Sequence, residues 1–326
     1  MTPPAHQLEQ HLQNNIGQTL FGMNEVIHGL CIGLVAKGHT LVEGVPGLGK
    51  TLLAKTLSRH LRGEFKRIQC TADMMPSDLT GIHVYNADTR SFELLEGPLF
   101  ADVVLVDEIN RTGPKTQSAL LQAMEEGGIT LDRKTYSLPE EFFVIASQNP
   151  HEFEGTYPLL ESQLDRFLIK IKIDYPNAET EKQVLRAYDH PGGGHDNVAQ
   201  ASEALPKNIL NDARNQSAQV HVSDAVYNYC IALAEATRSH QNISLGMSTR
   251  GALALMRCAR VEAAARNGEF VTPDDIKTVA RMVMSHRLIL TPDALLEGQT
   301  GEQMTMAILD QIEVPRLEDL NKPATG

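Results

Sequence analysis

No run of about eighteen apolar residues occurs in the 326-residue sequence, so no segment reads as a membrane-spanning helix. The first fifteen residues are polar and rich in histidine and glutamine, without the apolar stretch of an export signal. The cytoplasm is therefore the expected compartment, with no membrane insertion. Cysteine is scarce: Cys31, Cys70, Cys230 and Cys258 lie far apart, mostly in apolar segments, which suits reduced core thiols better than a disulfide frame or a metal knot. The twelve histidines are scattered, with neither an H-E-x-x-H run nor Cys/His pairs at ligand spacing, so no metal other than Mg²⁺ is expected. Dense basic runs are lacking and the net charge is −12, which speaks against a generic nucleic-acid binder and leaves only a local basic pore open. Internal repeats and low-complexity tracts are absent as well. What remains is a chain with 42% hydrophobic residues, able to bury a large core and long enough for two domains.

The most informative stretch that is present runs Leu41-Val42-Glu43-Gly44-Val45-Pro46-Gly47-Leu48-Gly49-Lys50-Thr51, a G-x-x-x-x-G-K-T pattern between a strand-like segment and a helical one. Glycines let the backbone fold tightly enough for its N–H groups to surround phosphate oxygens and feed them to the positive end of a helix. Lys50 is placed to reach the β- and γ-phosphates, and the Thr51 hydroxyl to hold Mg²⁺. The candidate cofactor-binding set is Gly44, Val45, Pro46, Gly47, Leu48, Gly49, Lys50, Thr51 and Leu52. The helix after it, from Thr51 to about Leu61, carries Leu52, Leu53, Thr56 and Leu57 at helical spacing.

A second stretch, Val103-Val104-Leu105-Val106-Asp107-Glu108-Ile109-Asn110, reads as a buried parallel strand ending in two acids. Carboxylates at the carboxyl end of such a strand lie where open α/β sheets bind ligands, so Asp107 can join Thr51 as a Mg²⁺ ligand and Glu108 can polarise a water. Strand candidates at 39–43, 65–69, 103–107 and 142–147 alternate with helical stretches up to about residue 188, which is an α/β pattern. The segment Asp189-His190-Pro191-Gly192-Gly193-Gly194-His195-Asp196 is too rich in turn residues for regular structure and is the linker candidate.

The expected organisation is an α/β nucleotide domain over 1–188, a linker over 189–206 and a helical domain over 207–326. In the second half, Ser248-Thr249-Arg250 starts a helix expected to turn Leu253, Met256 and Val261 inward and to stop at Asn267-Gly268. Thr272-Pro273-Asp274-Asp275 is a capping signature for the next helix. The tail beyond about Val314 reads as frayed.

With these motifs placed, the sequence resembles the MoxR family of AAA+ ATPases from about Gly17 to Leu290. The resemblance is carried by Glu43 to Thr51, Pro76-Ser77-Asp78-Leu79-Thr80-Gly81, Glu96-Gly97-Pro98-Leu99-Phe100, Asp107-Glu108-Ile109-Asn110-Arg111, Pro114-Lys115-Thr116-Gln117-Ser118-Ala119-Leu120-Leu121, Gln148-Asn149-Pro150, Glu154-Gly155-Thr156-Tyr157-Pro158 and Gln163-Leu164-Asp165-Arg166-Phe167. It implies an AAA+ P-loop NTPase core with a parallel sheet, an all-helical lid, and ATP hydrolysis with Mg²⁺. It also implies that Asn149 is the sensor-1 residue positioning the attacking water beside Glu108, and that Arg166 is an arginine finger for a neighbouring subunit's γ-phosphate. Arg250 matches the sensor-2 arginine and joins the cofactor-binding set. Family members commonly carry Ser-Pro-Arg where this chain has Ser-Thr-Arg, and whether Arg250 serves its own nucleotide or a neighbour's is open. Two further readings stay open at this point: Asn149 as a turn residue before Pro150, and Arg166 as a partner of Asp165 or Glu161 in a surface ion pair.

Two hairpin-like inserts, 81–93 and 127–138, also fit the family, whose hairpins face the pore or axial surface; a purely buttressing role is the alternative. The resemblance further implies a ring, expected to be hexameric, that acts as a chaperone on a client protein together with a von Willebrand factor A-domain partner, remodelling, activating or inserting a cofactor. Two other classes remain. A nucleic-acid motor of the same clade would need more basic pore residues than Arg90, Arg133 and Lys134, and nucleic acid is not the expected partner. A self-contained P-loop kinase would keep the phosphate loop, need neither Asn149 nor Arg166, and turn over as a monomer.

Overall fold

The fold is described from a computed structural model covering residues 2–17, 20–45, 47–150, 155–189, 205–206 and 208–315. The chain opens with helices α1 (Pro4–Ile16) and α2 (Asn24–Val35), then runs β1 (Thr40–Gly44), α3 (Lys50–Leu61), β2 (Phe65–Gln69), α4 (Pro76–Thr80), β3 (Gly81–Asn86) and β4 (Ser91–Glu96). Strand β5 (Val103–Asp107), a 3-10 turn over Ile109–Arg111, α5 (Pro114–Glu126), β6 (Gly128–Leu131), β7 (Lys134–Ser137), β8 (Phe143–Gln148), α6 (Glu161–Leu164), β9 (Ile169–Ile173) and α7 (Ala178–Tyr188) complete the first part. The second part contains α8 (Ile209–Gln219), α9 (Asp224–Ser239), β10 (Ile243–Leu245), α10 (Thr249–Ala265), α11 (Pro273–Met284), a 3-10 turn over Ser285–Arg287, β11 (Ile289–Leu290), α12 (Pro292–Leu296) and α13 (Gly301–Gln311). Among the described residues no helix is long and apolar enough to cross a membrane.

Five parallel strands form one sheet in the order β2-β5-β8-β1-β9. Every residue of β5 is buried, and period-two alternation splits its side chains: Val103 and Leu105 enter the core on one sheet face, Val104 and Val106 the core on the other. Strand β8 divides the same way, with Phe143 and Ile145 against Val144 and Ala146. The four expected strands are present within a residue of their expected limits, and the sheet has a fifth. Strand β9 pairs with the far side of β1 from Thr40↔Ile169 to Gly44↔Ile173, and its Ile-Lys-Ile-Lys-Ile alternation suits an edge with one covered face.

Both expected hairpins form, as β3–β4 and β6–β7, the first extending to Glu96. They touch through His83 of β3, which hydrogen-bonds Asp132 Oδ2 at 2.8 Å and Tyr136 Oη at 2.9 Å. On β3–β4 the exposed rings of Tyr85 and Phe92 pack edge to face, centroids 5.5 Å apart.

The second part is helical except for the short antiparallel β10–β11 ladder. Its helices start where expected: Ser248 Oγ accepts the Gly251 N–H at 3.1 Å, and Thr272 and Asp275 form a capping box. Met256 and Val261 are buried, but Leu253, expected to face inward, is 62% exposed. It stands about 200° round α10 from the buried Leu255, on the opposite side of the helix. The four cysteines are buried and unpaired, and burial pushes the thiols of Cys70, Cys230 and Cys258 up to about 12.

Helix α1 carries a narrow stripe of Ala5, Leu8, Leu12 and Ile16 that is buried against α8, α10, α2 and α3. The two parts are also tied by charge. His28 of α2 lies between Glu9 of α1, 2.9 Å from Nδ1, and Glu262 of α10, 3.2 Å from Nε2. The linker candidate, 189–196, lies outside the described residues except Asp189, as do Pro46, Glu154 and the tail from 316 onward.

Candidate nucleotide site

Between β1 and α3 the backbone turns at Gly47 (φ +88°) and Gly49 (φ +78°), both left-handed. The positive φ favours glycine at Gly49, and a Cβ there would also come within 2.8 Å of Leu20 Cδ2, so that side chain would have to shift. Helix α3 starts at Lys50 with no side-chain cap, so the N–H groups of its first turn have no partner within the helix and face the loop. That arrangement fits a phosphate, which needs converging N–H donors at the positive end of a helix. Lys50 Nζ donates to the carbonyl oxygens of Gly44 (2.7 Å) and Val45 (3.2 Å), which keeps the ammonium at the mouth of the loop. Burial lowers its pKa, against the opposing charges of Asp107 and Glu108. Loop and acids line one cavity of about 950 Å³, closed opposite by the 20–26 segment and by Tyr175 and Pro176 beyond β9.

Asp107 ends β5 and is 6% exposed. Its Oδ1 accepts from Ser147 Oγ at 2.9 Å and its Oδ2 from Arg67 Nε at 2.8 Å. Glu108 turns out of the strand with φ +57°, a left-handed conformation costing a non-glycine residue about 1 kcal/mol or more. The turn is held from both ends. Its N–H donates to Ser147 Oγ at 3.0 Å, and its Oε2 accepts from Gln69 Nε2 at 3.0 Å and Arg111 Nη1 at 3.1 Å. The Thr51 hydroxyl and the Asp107 carboxylate, both on the cavity wall, are a hard oxygen pair of the kind that could hold Mg²⁺ with its waters. Glu108 could take a proton from a water.

Asn149 follows the last residue of β8, the strand beside β5, and so stands at the same carboxyl edge of the sheet as the acids. Arg166 and Arg250 lie elsewhere. Neither lines the cavity of its own chain; both line a smaller depression of about 350 Å³ together with Lys37 and Arg257. There Arg166 Nε stands 3.4 Å from Glu125 Oε2, and Arg250 Nη2 hydrogen-bonds Glu125 Oε1. Asp165, the neighbour considered as a partner for Arg166, is taken by Arg287 Nε at 2.7 Å and by Ser248 Oγ at 2.8 Å.

Residues 39–169 match the ATPase family associated with various cellular activities (AAA), and residues 235–311 match the AAA lid domain. The chain is 35% identical over 323 residues to chaperone MoxR1 of Mycobacterium tuberculosis, covering 96% of this chain and 84% of that protein. The chain belongs to the MoxR family of AAA+ ATPases. The chain is 40% identical to YeaC of Bacillus subtilis over 312 residues, covering 95% of this chain and 96% of that one. A crystal structure of a protein assigned as an ATPase from Cytophaga hutchinsonii superposes with a TM-score of 0.86 at 38% identity, covering 96% of this chain and 97% of that one. As a MoxR-family AAA+ protein the chain is an ATP hydrolase with an α/β core and a helical lid.

Within this MoxR-family site, sequence reasoning gave no role to five residues that touch its acids or arginines among the described residues: Arg67, Gln69, Arg111, Ser147 and Glu125. Arg67 and Gln69 sit two apart on β2, on the face next to Asp107 and Glu108, and polar residues at i and i+2 near the carboxyl end of a strand were the available signal. Ser147 breaks the apolar run of β8 one residue beyond the Val106↔Ala146 pair, level with Asp107. Nothing local marks Glu125.

Proposed function

We propose that this chain hydrolyses ATP with Mg²⁺ at sites shared between adjacent copies of a hexameric ring, and that it uses the cycle to remodel a client protein in the cytoplasm. In this reading the loop from Gly44 to Leu52 binds the phosphates, and Thr51 and Asp107 hold Mg²⁺, whose charge helps to neutralise them. Glu108 takes a proton from water as the water oxygen attacks the γ-phosphorus and the bond to the bridging oxygen of ADP breaks, with Asn149 orienting that water. Lys50 meets the developing charge from within the chain; Arg166 and Arg250 meet it from the neighbouring copy. The observation that carries this reading is the partly exposed arginine pair, displayed on a face apart from the chain's own cavity. A self-contained kinase would direct its cations into its own site.

The chaperone role is supported by the name of the MoxR1 relative and by the exposed apolar residues of the β3–β4 hairpin, which suit contact with a polypeptide. A von Willebrand factor A-domain protein is the proposed partner, and the division into 1–188, a 189–206 linker and a 207–326 lid belongs to the same reading. The test is to mix Arg166→Ala with Glu108→Gln subunits. Each variant alone should lose turnover, by about 10³–10⁵-fold for the arginine, while still binding nucleotide. In mixed rings, interfaces with an intact Glu108 facing an intact Arg166 should recover part of the activity. If both variants assemble and mixing recovers none, the shared site is wrong.

A further inference from the structure

Glu125 is the meeting point of two guanidinium groups that come from different parts of the molecule. Arg166 follows α6 in the α/β part, and Arg250 lies in the first turn of α10 in the helical part. Each takes a different oxygen of the one carboxylate. We propose that Glu125 is a positioning residue that holds Arg166 and Arg250 side by side for a phosphate brought by another copy, an inference that rests on the shared-site reading above.

The geometry favours a holder over an ordinary surface ion pair. Arg166 meets Glu125 at Nε in an ion pair of 3.4 Å, and its terminal amino groups have no hydrogen-bond partner among the described residues. Arg250 is held at one terminal nitrogen alone. Glu125 thus meets one nitrogen of each guanidinium and leaves the other N–H donors of both open to solvent, where the arginines are 32% and 48% exposed. Of the other cations of the depression, Arg257 Nη2 donates to the carbonyl oxygens of Ala36 and Lys37, Arg287 is buried on Asp165 and the carbonyls of Phe167 and Leu168, and the Lys37 ammonium faces Glu140 at 3.8 Å.

The holder is itself anchored. Residue 124 of α5 gives its carbonyl to buried His39 Nε2 at 3.0 Å, and Gln117 of the same helix donates to the carbonyl oxygens of Ile109 (3.2 Å) and Tyr157 (2.9 Å). Charge explains why a carboxylate belongs there. Two guanidinium groups brought together repel, and a single anion between them removes that repulsion without filling the donor positions a phosphate needs. Exposed pairs of this kind add at most about 1 kcal/mol to folding, so stability does not account for the arrangement.

The test uses the full chain carrying Glu125→Ala and, as the shape-conserving variant, Glu125→Gln. Both should keep the thermal unfolding midpoint and the KM for ATP, while kcat falls about ten- to a hundredfold, as expected when catalytic groups are misplaced rather than removed. Adding Glu125→Ala to a chain already carrying Arg166→Ala and Arg250→Ala should cause no further loss, because nothing is left to position. Mixing Glu125→Ala with Glu108→Gln subunits should restore part of the turnover, since the altered subunit keeps its own acids and borrows its neighbour's arginines.

Full kcat in both Glu125 variants overturns the proposal, and so does an additional loss in the triple variant. Recovery with Arg166→Ala but not with Glu125→Ala in the mixing experiment removes the role of Glu125 and leaves the shared site standing. Recovery in neither mixture removes both.

Discussion

Gln69 donates an amide hydrogen to the Glu108 carboxylate across 3.0 Å, joining the last residue of the edge strand β2 to the acid just beyond its neighbour β5. Gln69 is uncharged, so Gln69→Ala alters the orientation of Glu108 without altering the charge of the site. Since Arg111 still holds the same oxygen, the expected loss in kcat is moderate, about tenfold, with nucleotide affinity unchanged. Steady-state ATPase assays beside a fluorescent-nucleotide titration decide it, and an equal fall in affinity would show that Gln69 acts on the nucleotide instead.

Ser147 uses one hydroxyl to serve both acids, donating to Asp107 and accepting from the Glu108 amide, and it is fully buried. Ser147→Ala leaves a buried N–H without its acceptor and a buried carboxylate short of a donor, which costs about 1–3 kcal/mol. Both the denaturation midpoint and turnover should fall. A variant with unchanged stability and activity would mean that water replaces the hydroxyl without penalty.

His28 carries a pH signature. Burial pushes its pKa down, but the ion pair with Glu262 and the hydrogen bond and charge of Glu9 overcome this and hold it at about 10. Raised above the value of 6.5, the group stabilises the fold fully below pH 6.5, and the contribution drains away as the pH climbs through about 10. His28→Gln should therefore cost about 3 kcal/mol near pH 6 and progressively less toward pH 10. Denaturant titrations of both chains at several pH values check this, and a difference independent of pH would show that His28 is neutral in the fold.

His39 acts in the opposite direction. Burial, helped by Arg257, lowers it to about 4 against the pull of the Met124 carbonyl. Its neutral ring donates from Nε2 to that carbonyl and accepts the Val144 N–H at Nδ1, 3.0 Å each. The stabilisation is complete above pH 6.5 and is lost as the pH falls through about 4. His39→Gln can make comparable hydrogen bonds without titrating, so its stability should fall less steeply between those limits. Parallel slopes for the two chains would exclude protonation of His39 as a cause of acid unfolding.

The phosphate loop, the acid-bearing strand and the two hairpins were legible in the sequence because each is specified locally: glycines at positive φ, an unbroken apolar run, and turn residues flanked by alternating side chains. Strand β9 escaped because Ile-Lys-Ile-Lys-Ile has half its positions charged and only acquires a covered face by docking on β1. Helix α1 hid behind its composition, since four small or aliphatic residues among histidines and glutamines form a stripe only when the helix is wound. Leu253 was assigned to the inside of α10 from spacing that fits more than one face. The convergence of Arg166, Arg250 and Glu125 spans 125 positions of sequence between its ends, and no local pattern encodes it.

Helix α1 (Pro4–Ile16) acts as a mortise joint. Ala5 donates its N–H to Gln216 on α8, Glu9 meets His28 on α2, and Leu8, Leu12 and Ile16 fill the seam between the two parts. The matched family segments begin at residue 39 and resume at 235, so a chain trimmed to those limits would lose α1 together with the helices α2 and α8 that flank it. Its α10 would meet water along a face built to be dry, and the protein should come out of solution before any question of catalysis arose.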